Sequence, residues 1–173
     1  MRTLATELAI ALVDPKYPHN VGGALRAASC YGASHLFYTG QRMEDQVGML
    51  KRLPREERMK GYRDVDWHRE DEFLDAIAKD VVPVAVEFRH NAESLFDFVH
   101  PRKALYVFGP EDGGIPGAVL ARCHRFVVVP TYHCMNLSAA VNVVLYDREC
   151  KDHRRRMLGE MNDRSLDQLV LNM

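Results

Sequence analysis

The stretch Ala104-Leu-Tyr-Val-Phe-Gly-Pro-Glu-Asp-Gly-Gly114 joins a run of apolar and aromatic residues to a turn of glycine, proline and two acids. Five such residues with no polar interruption read as a strand buried on both faces. Gly109 and Pro110 end it, and Pro116 sits at a favourable first-turn position for a short helix from Pro116 to Arg122. The same alternation extends in both directions. Leu8 to Val13, His35 to Tyr38, Val81 to Phe88 and Phe126 to Val129 read as further strands. Between and after them, Val21 to Tyr31, Glu70 to Lys79 and Asn136 to about Arg156 read as helices. Continuous apolar strands alternating with helices predict an α/β fold, a parallel sheet flanked by helices on both faces. No repeat or linker divides residues 1–173, so a single domain is expected, with residues 159–173 as a tail or a last short helix. Gly40 to His68 is the least regular segment, rich in charge and carrying Met43, Met49, Met59, Tyr62 and Trp67. Irregular segments of that length in a compact domain are often functional.

Bulk composition excludes several classes. The 173 residues carry 23 Lys and Arg against 24 Asp and Glu, a net charge of −1, so the chain does not bind nucleic acid by overall charge. The charge is locally uneven. Lys51, Arg52, Arg55, Arg58, Lys60 and Arg63 crowd one segment, and Lys151, Arg154, Arg155 and Arg156 another. Each cluster reads equally as a solvated face or as a patch that neutralises a few phosphates, and Glu56 and Glu57 dilute the first. No stretch approaches the ~20 apolar residues of a membrane span. The apolar run Leu8 to Val13 is closed by Glu7 and Asp14, which fits a first strand better than an export signal. Four widely spaced cysteines without a Cys-x-x-Cys pair read as reduced thiols of a cytoplasmic protein.

Three short blocks hold the candidate chemistry: Asn20-Val-Gly-Gly-Ala-Leu-Arg26, Gly109 to Gly114, and Cys134-Met-Asn-Leu-Ser138. Asn20 is placed to cap the helix that follows it. Arg26 falls near the face opposite the apolar one, flanked by Gly22, Gly23 and Cys30, so its guanidinium stands over a low surface; an ordinary exposed arginine is the plainer reading. The Gly109 to Gly114 turn lacks both the Gly-Lys-Ser/Thr of a P-loop and the Gly-x-Gly-x-x-Gly of dinucleotide sites. Glu111 and Asp112 would repel a pyrophosphate and suit a ligand with hydroxyls or a cation; a tight strand-to-helix turn with a capping acid is the alternative. From Leu137 to Tyr146 the last helix is apolar nearly all round, which calls for cover on more than one side, and a second subunit is the natural cover. Cys123-His124 and His133-Cys134 make a poor zinc site, because neighbours on an extended chain point to opposite sides. A thiol nucleophile at Cys134 lacks an orienting third group in the pattern.

In their order and spacing these blocks resemble the three motifs of the SpoU (TrmH) class of SPOUT RNA methyltransferases, closest to the minimal single-domain type that methylates tRNA ribose. The likeness runs from Leu8 to about Arg156 and fades between Gly40 and His68. Asn20 and Arg26 have the family's six-residue spacing, Gly109 to Gly114 matches Gly-Pro-Glu-x-x-Gly, and Met135-Asn136-Leu137-Ser138 opens the final helix, with Tyr146 and Asp147 closing the third motif. Cys134 stands where the family has a serine, so a thiol replaces the hydroxyl at that position.

The resemblance implies a C-terminal deep trefoil knot, S-adenosylmethionine (SAM) as cofactor, no metal, and a homodimer with its active site at the interface. Carried over by position, the catalytic set is Arg26, Asn20, Glu111, Asn136 and Ser138. The cofactor set is Val86, Gly109, Pro110, Glu111, Gly114, Val129, Pro130, Met135, Asn136 and Leu137. RNA contacts fall to Arg26, Lys51, Arg52, Arg55, Arg58, Lys60 and Arg63, with Tyr62 and Trp67 as stacking aromatics. Arginine as a residue type keeps its proton to about pH 12, so Arg26 either needs help to act as a base or serves to orient and stabilise a developing alkoxide. The implied reaction is methylation of a tRNA 2′-hydroxyl. Ribosomal RNA as substrate and a catalytically silent SAM- or RNA-binding knot protein are the alternatives.

Overall fold

A computed structural model describes residues 7–43, 45 and 64–170, with side chains described as far as residue 159. Among these, the chain runs β1 (Leu8–Leu12), α1 (Pro18–Cys30), β2 (His35–Tyr38), β3 (Asp66–Arg69), α2 (Phe73–Ala76) and β4 (Val82–Val86). It continues with β5 (Glu93–Ser94), β6 (Ala104–Phe108), α3 (Gly117–Leu120), β7 (Arg125–Val128) and α4 (Leu137–Val170). The seven strands form one sheet in the order β3-β2-β1-β6-β4-β7-β5, and every pairing is parallel. The expected α/β architecture is therefore present.

Alternation along the strands divides two cores. Leu8, Ile10, Leu12, Leu36, Tyr106 and Phe108 face α1 and α4, together with Val21, Leu25, Val141, Val144 and Leu145. Ala9, Ala11, Phe37, Leu105 and Val107 face the opposite side, where Phe73 and Ile77 around α2 and Val119 and Leu120 of α3 pack. β1 and β6 are buried at every position, as central strands covered on both faces should be.

Several boundaries differ from the sequence reading, each for a local reason. The helix expected over Glu70 to Lys79 shrinks to Phe73–Ala76. The Glu70 N–H instead donates to the Tyr38 carbonyl at 3.0 Å and prolongs the sheet ladder, while Ile77 already has extended backbone. β3 lies in the segment expected to be irregular: it is a charged edge strand, whose composition hides it. Trp67 is consequently half-buried against the core, with its ring 6.1 Å from that of Tyr38, and does not stand out as a stacking aromatic. Lys51, Arg52, Arg55, Arg58, Lys60, Arg63 and Tyr62 lie outside the described residues. α1 begins at Pro18, with extended Tyr17 as its N-cap, so Asn20 sits inside the first turn and does not cap it. Proline, with its fixed φ and missing N–H, is suited to that first position. Finally, α4 does not stop near Gly159 but continues to Val170. Nothing crowds the Cβ position of Gly159, and a single exposed glycine costs a helix only about 1 kcal/mol.

α1 and α4 approach closely at one point. A Cβ on Gly23 would lie 2.7 Å from Ser138 Cβ and 2.9 Å from its Oγ, so only glycine lets the helices meet there. Further along, α4 is tied to the segment before β6 by a buried polar chain. Neutral His100, with its proton on Nε2, satisfies every contact: Nε2–H donates to Asp147 Oδ2 at 2.8 Å, and Nδ1 accepts from the Tyr106 hydroxyl at 2.5 Å. Lys151 Nζ donates to the same Asp147 oxygen at 2.6 Å and to the Leu95 and Phe98 carbonyls. Arg148 donates to the carbonyls of Pro101 at 2.6 Å and Arg102 at 2.7 Å. Burial pushes the Tyr106 phenol up to about 12, so it stays a donor. Of the second basic cluster, Lys151 is thus taken up by the fold, Arg155 pairs with Asp152, and Arg156 pairs with Glu149.

Two outcomes are expected. Gly23→Ala gains up to about 1 kcal/mol of helix propensity but overpacks a contact of the kind that costs about 1–3 kcal/mol. Its urea midpoint should fall and should recover in Gly23→Ala/Ser138→Gly; a midpoint at or above that of the parent protein would contradict the close approach. Burial holds the His100 pKa below its usual value, outweighing the opposing pull of Asp147. The unfolded chain then binds the extra proton first, so this stability is complete above about pH 6.5 and is lost as pH falls below it. Thermal melts between pH 8 and 5 should slope more steeply for the parent than for His100→Gln, and equal slopes would remove His100 from the pH response.

Candidate active site at the carboxyl edge of the sheet

In an all-parallel sheet every strand delivers its following loop to the same edge. Here the segments after β1, β4, β6 and β7 meet there, and β6 and β4 lie beside β1 on the side away from β2. A crevice at such a reversal of strand order is the usual ligand position in open α/β sheets.

Four residues singled out in the sequence form one hydrogen-bonded chain. Asn20 Nδ2 donates to Glu111 Oε1 at 2.5 Å, and Asn20 Oδ1 accepts from Asn136 Nδ2 at 2.9 Å. Asn136 Oδ1 then accepts from the backbone N–H of Ser138 at 3.0 Å, the Ser138 hydroxyl at 2.8 Å and the Ala139 N–H at 3.3 Å. Asn136 is therefore the cap of α4, the role the sequence had offered to Asn20. Glu111 also accepts the Lys16 N–H at 2.8 Å and the Tyr17 N–H at 3.4 Å, at the start of α1. Burial opposes ionisation of Glu111, but the hydrogen bonds from Asn20 and these backbone groups outweigh it and hold the carboxyl below its usual range.

The neighbouring acid has a separate task. Asp112 accepts from Arg42 Nη1 at 2.9 Å and Lys16 Nζ at 3.2 Å, and these partners keep its pKa low. Arg42 also donates to the Asp14 carbonyl at 2.5 Å and pairs with the Asp14 carboxylate at 2.9 Å. Gly40 at φ +74° makes this possible, since a Cβ there would lie 2.1 Å from Asp14 Oδ1. Glu87, which the sequence reading missed, accepts the Ile115 N–H at 2.8 Å and the Phe88 N–H at 3.0 Å, and so braces the turn after β6 from the end of β4. Its partner Ile115 lies 28 residues away, beyond the reach of any local pattern.

Beside this framework opens a cleft of about 580 Å³. Val86, Val128, Val129, Met135 and Ala140 supply its apolar wall, a size and character typical of small-ligand sites. Of the ten cofactor residues expected, Val86, Val129 and Met135 line it. Gly109, Pro110, Glu111, Gly114, Pro130, Asn136 and Leu137 are not among the lining residues; Glu111 and Asn136 belong to the network above. Cys134 also lines the cleft. Arg26 lies on the exposed side of α1, one turn beyond the Gly23–Ser138 contact, along the stripe His19, Gly23, Arg26 and Cys30. On α4 the exposed positions Asn142 and Tyr146 lie toward the same surface, and Tyr146 meets Tyr31 edge to face at 6.5 Å. Among the described residues no three His, Cys, Asp or Glu gather to hold a metal ion, and burial pushes the Cys123 thiol up to about 11. No helix among them is long and apolar enough to cross a membrane.

Comparison with known proteins adds four findings. Residues 7–146 match the family model described as the SpoU rRNA methylase family. A tRNA (cytidine-2′-O-)-methyltransferase of Methanocaldococcus jannaschii is 28% identical over 165 residues, covering 87% of this chain and 71% of the relative. A tRNA (cytidine(34)-2′-O)-methyltransferase of an Acidovorax species is likewise 28% identical, over 145 residues, 80% of this chain and 88% of its own. Among solved structures, the SpoU methyltransferase AviRb of Streptomyces viridochromogenes in complex with AdoMet shares the fold with a TM-score of 0.64 at 20% identity, over 89% of this chain and 62% of that one.

The network generates one further expectation. Glu111→Gln replaces an acceptor-only carboxylate by a group that must turn an NH₂ toward one of its three donors. Charge-assisted hydrogen bonds of this kind contribute about 1.5–3 kcal/mol, so at neutral pH the melting temperature should fall by several degrees. The deficit should shrink in acid, as the parent carboxyl is protonated. A variant as stable as the parent at pH 7 would exclude a structural role for this carboxylate.

Proposed function

The chain belongs to the SpoU rRNA methylase family, and on that premise we propose that it is a SAM-dependent methyltransferase acting on a ribose 2′-hydroxyl of tRNA. The observation that carries this reading is the hydrogen-bonded chain Glu111–Asn20–Asn136, which joins all three sequence blocks beside one ligand-sized cleft. The tRNA substrate follows the two methyltransferase relatives, and the cofactor follows the related AdoMet-bound structure. The cleft fits such a cofactor, since its apolar wall suits an adenine ring and the strand ends offer backbone donors and acceptors to a ribose and an amino acid end. When bound, SAM supplies a methyl group activated by attachment to a sulfonium.

The chain's own residues do the rest. Val86, Val129 and Met135 hold the cofactor, with Gly109, Pro110, Gly114, Pro130 and Leu137 shaping the turns around it. Glu111, Asn20, Asn136 and Ser138 fix the starts of α1 and α4. Arg26, carried on that fixed helix, orients the ribose and stabilises the developing alkoxide, whose proton passes to water. In-line attack on a methyl group is governed chiefly by positioning, which such a framework provides. Lys51, Arg52, Arg55, Arg58, Lys60 and Arg63 contribute phosphate contacts. The single domain carries the family's trefoil knot, works in the cytoplasm, and pairs as a homodimer through the face bearing Arg26, Asn142 and Tyr146, which brings the active site to the interface.

The test is methyl transfer from labelled SAM to unmodified tRNA, with nucleosides identified by mass spectrometry and Arg26→Ala run in parallel. A 2′-O-methylated nucleoside is expected from the parent protein, with at least a ~100-fold loss in the variant, the scale of removing one transition-state donor. Transfer to ribosomal RNA alone would move the substrate. SAM binding without transfer to either would make this a silent binding module, and failure to bind SAM would remove the cofactor.

A further inference from the structure

Phe88 is 89% exposed and Tyr132 is fully exposed, yet both line the same cleft as Val86, Val129 and Met135. Phe96 is also exposed, at 75%, but it does not line the cleft; what sets Phe88 and Tyr132 apart is that two exposed aromatics share one ligand-sized cleft. Neither is loose. The N–H of Phe88 donates to Glu87 Oε1 at 3.0 Å, and Glu87 in turn is bonded to Ile115. Tyr132 sits at the tip of a turn closed by the Thr131 hydroxyl, which donates to the His133 carbonyl at 2.8 Å. Phe88 thus lies two residues beyond the end of β4 and Tyr132 four residues beyond the end of β7.

The charge around them points to one kind of partner. Arg89, next to Phe88, lies over the Phe126 ring with its guanidinium 4.7 Å from the ring centroid, and His133 adjoins Tyr132 on the cleft wall. Glu87, the one carboxylate among the lining residues, has both oxygens engaged by backbone N–H groups. A rim of aromatic faces with an arginine and a histidine beside it and no open acid among the lining residues suits a nucleobase with its phosphates.

We infer that Phe88 and Tyr132 form a stacking platform for an unpaired base of the RNA substrate at the mouth of the cofactor cleft. The inference deepens the proposed function and rests on it. Single-stranded RNA is recognised chiefly through splayed bases stacked on aromatic side chains, and a ribose presented for methylation brings its base with it. Among the described residues, Trp67 and Tyr38 at the β3 edge are half-buried and pack on each other, whereas Phe88 and Tyr132 at the rim beyond β4 and β7 are exposed. Arg89 and His133 serve the phosphates that flank the stacked base.

Binding, which needs no turnover, supplies the test. A fluorescein-labelled tRNA transcript and a fully paired RNA duplex of equal length are titrated by anisotropy, and SAM by calorimetry, with Phe88→Leu, Tyr132→Leu and Tyr132→Phe. Each leucine variant should weaken transcript binding by about 5- to 150-fold, the range of base–aromatic stacking. Tyr132→Phe should keep parental affinity, duplex binding should not change, and SAM affinity should hold. Equal loss for transcript and duplex, or a change below twofold with leucine, overturns the platform. Loss of SAM affinity by the same factor assigns the rings to the cofactor and also overturns it. Failure of the methyl-transfer reading appears separately, as a parent protein that binds the transcript without modifying it.

Discussion

One partly buried carboxylate holds the functional edge of this protein together. Glu111 lies on the turn after β6, yet its two oxygens take up the N–H groups that open α1 and the side chain of Asn20 within α1. Asn20 passes the link to Asn136, which caps α4. Three segments far apart in sequence therefore share one charge and one set of donors. A carboxylate withdrawn from water is costly unless its lone pairs are filled. Here they are filled by groups that would themselves be orphans at helix starts. The carboxylate and the helix termini each satisfy what the other lacks, and both asparagines use their oxygen and their nitrogen.

This link would not suffice if the helices could drift. α1 and α4 are fixed to each other at Gly23 and Ser138, where absence of a side chain allows the approach. α4 is fixed again about three turns on, where Asp147, Arg148 and Lys151 grip the segment before β6 through His100 and four carbonyls. The ion cluster of Arg42, Asp14, Asp112 and Lys16 ties the loop after β2 to the same edge. The cleft thus lies among restrained walls, as catalysis by positioning requires. The aromatic rim and the outer faces of α1 and α4 are turned to solvent.

Charge is used locally throughout. With a net charge of −1, affinity for a polyanion cannot come from the molecule's overall field. Many acids are spent on neighbouring cations, as in Arg122 with Asp75, Arg125 with Glu93 and Lys103 with Asp80. Under the proposed function, recognition would fall to stacking and to local cations.

Five of the seven strands, the parallel sheet, three of the helices and the chemistry-bearing blocks were legible in the sequence, because they depend on residue type at short spacing. Apolar runs such as Leu8 to Leu12 have nowhere to go but a sheet centre, and Pro, Gly and Asn punctuate the chain wherever they fall. Even the four residues of the network were found as candidates by their motifs. Their partners were not. Whether Asn20 or Asn136 capped a helix depended on Pro18 opening α1 early, and on Glu111 standing 91 residues further along the chain to occupy the side chain thus released. β3 was concealed by its charges, which an edge strand tolerates, and Glu87 had no local mark at all. Short-range pattern reports what each segment is able to become; which polar groups meet, and which rings stay exposed at a cleft, is set by contacts between segments that only the folded chain brings together.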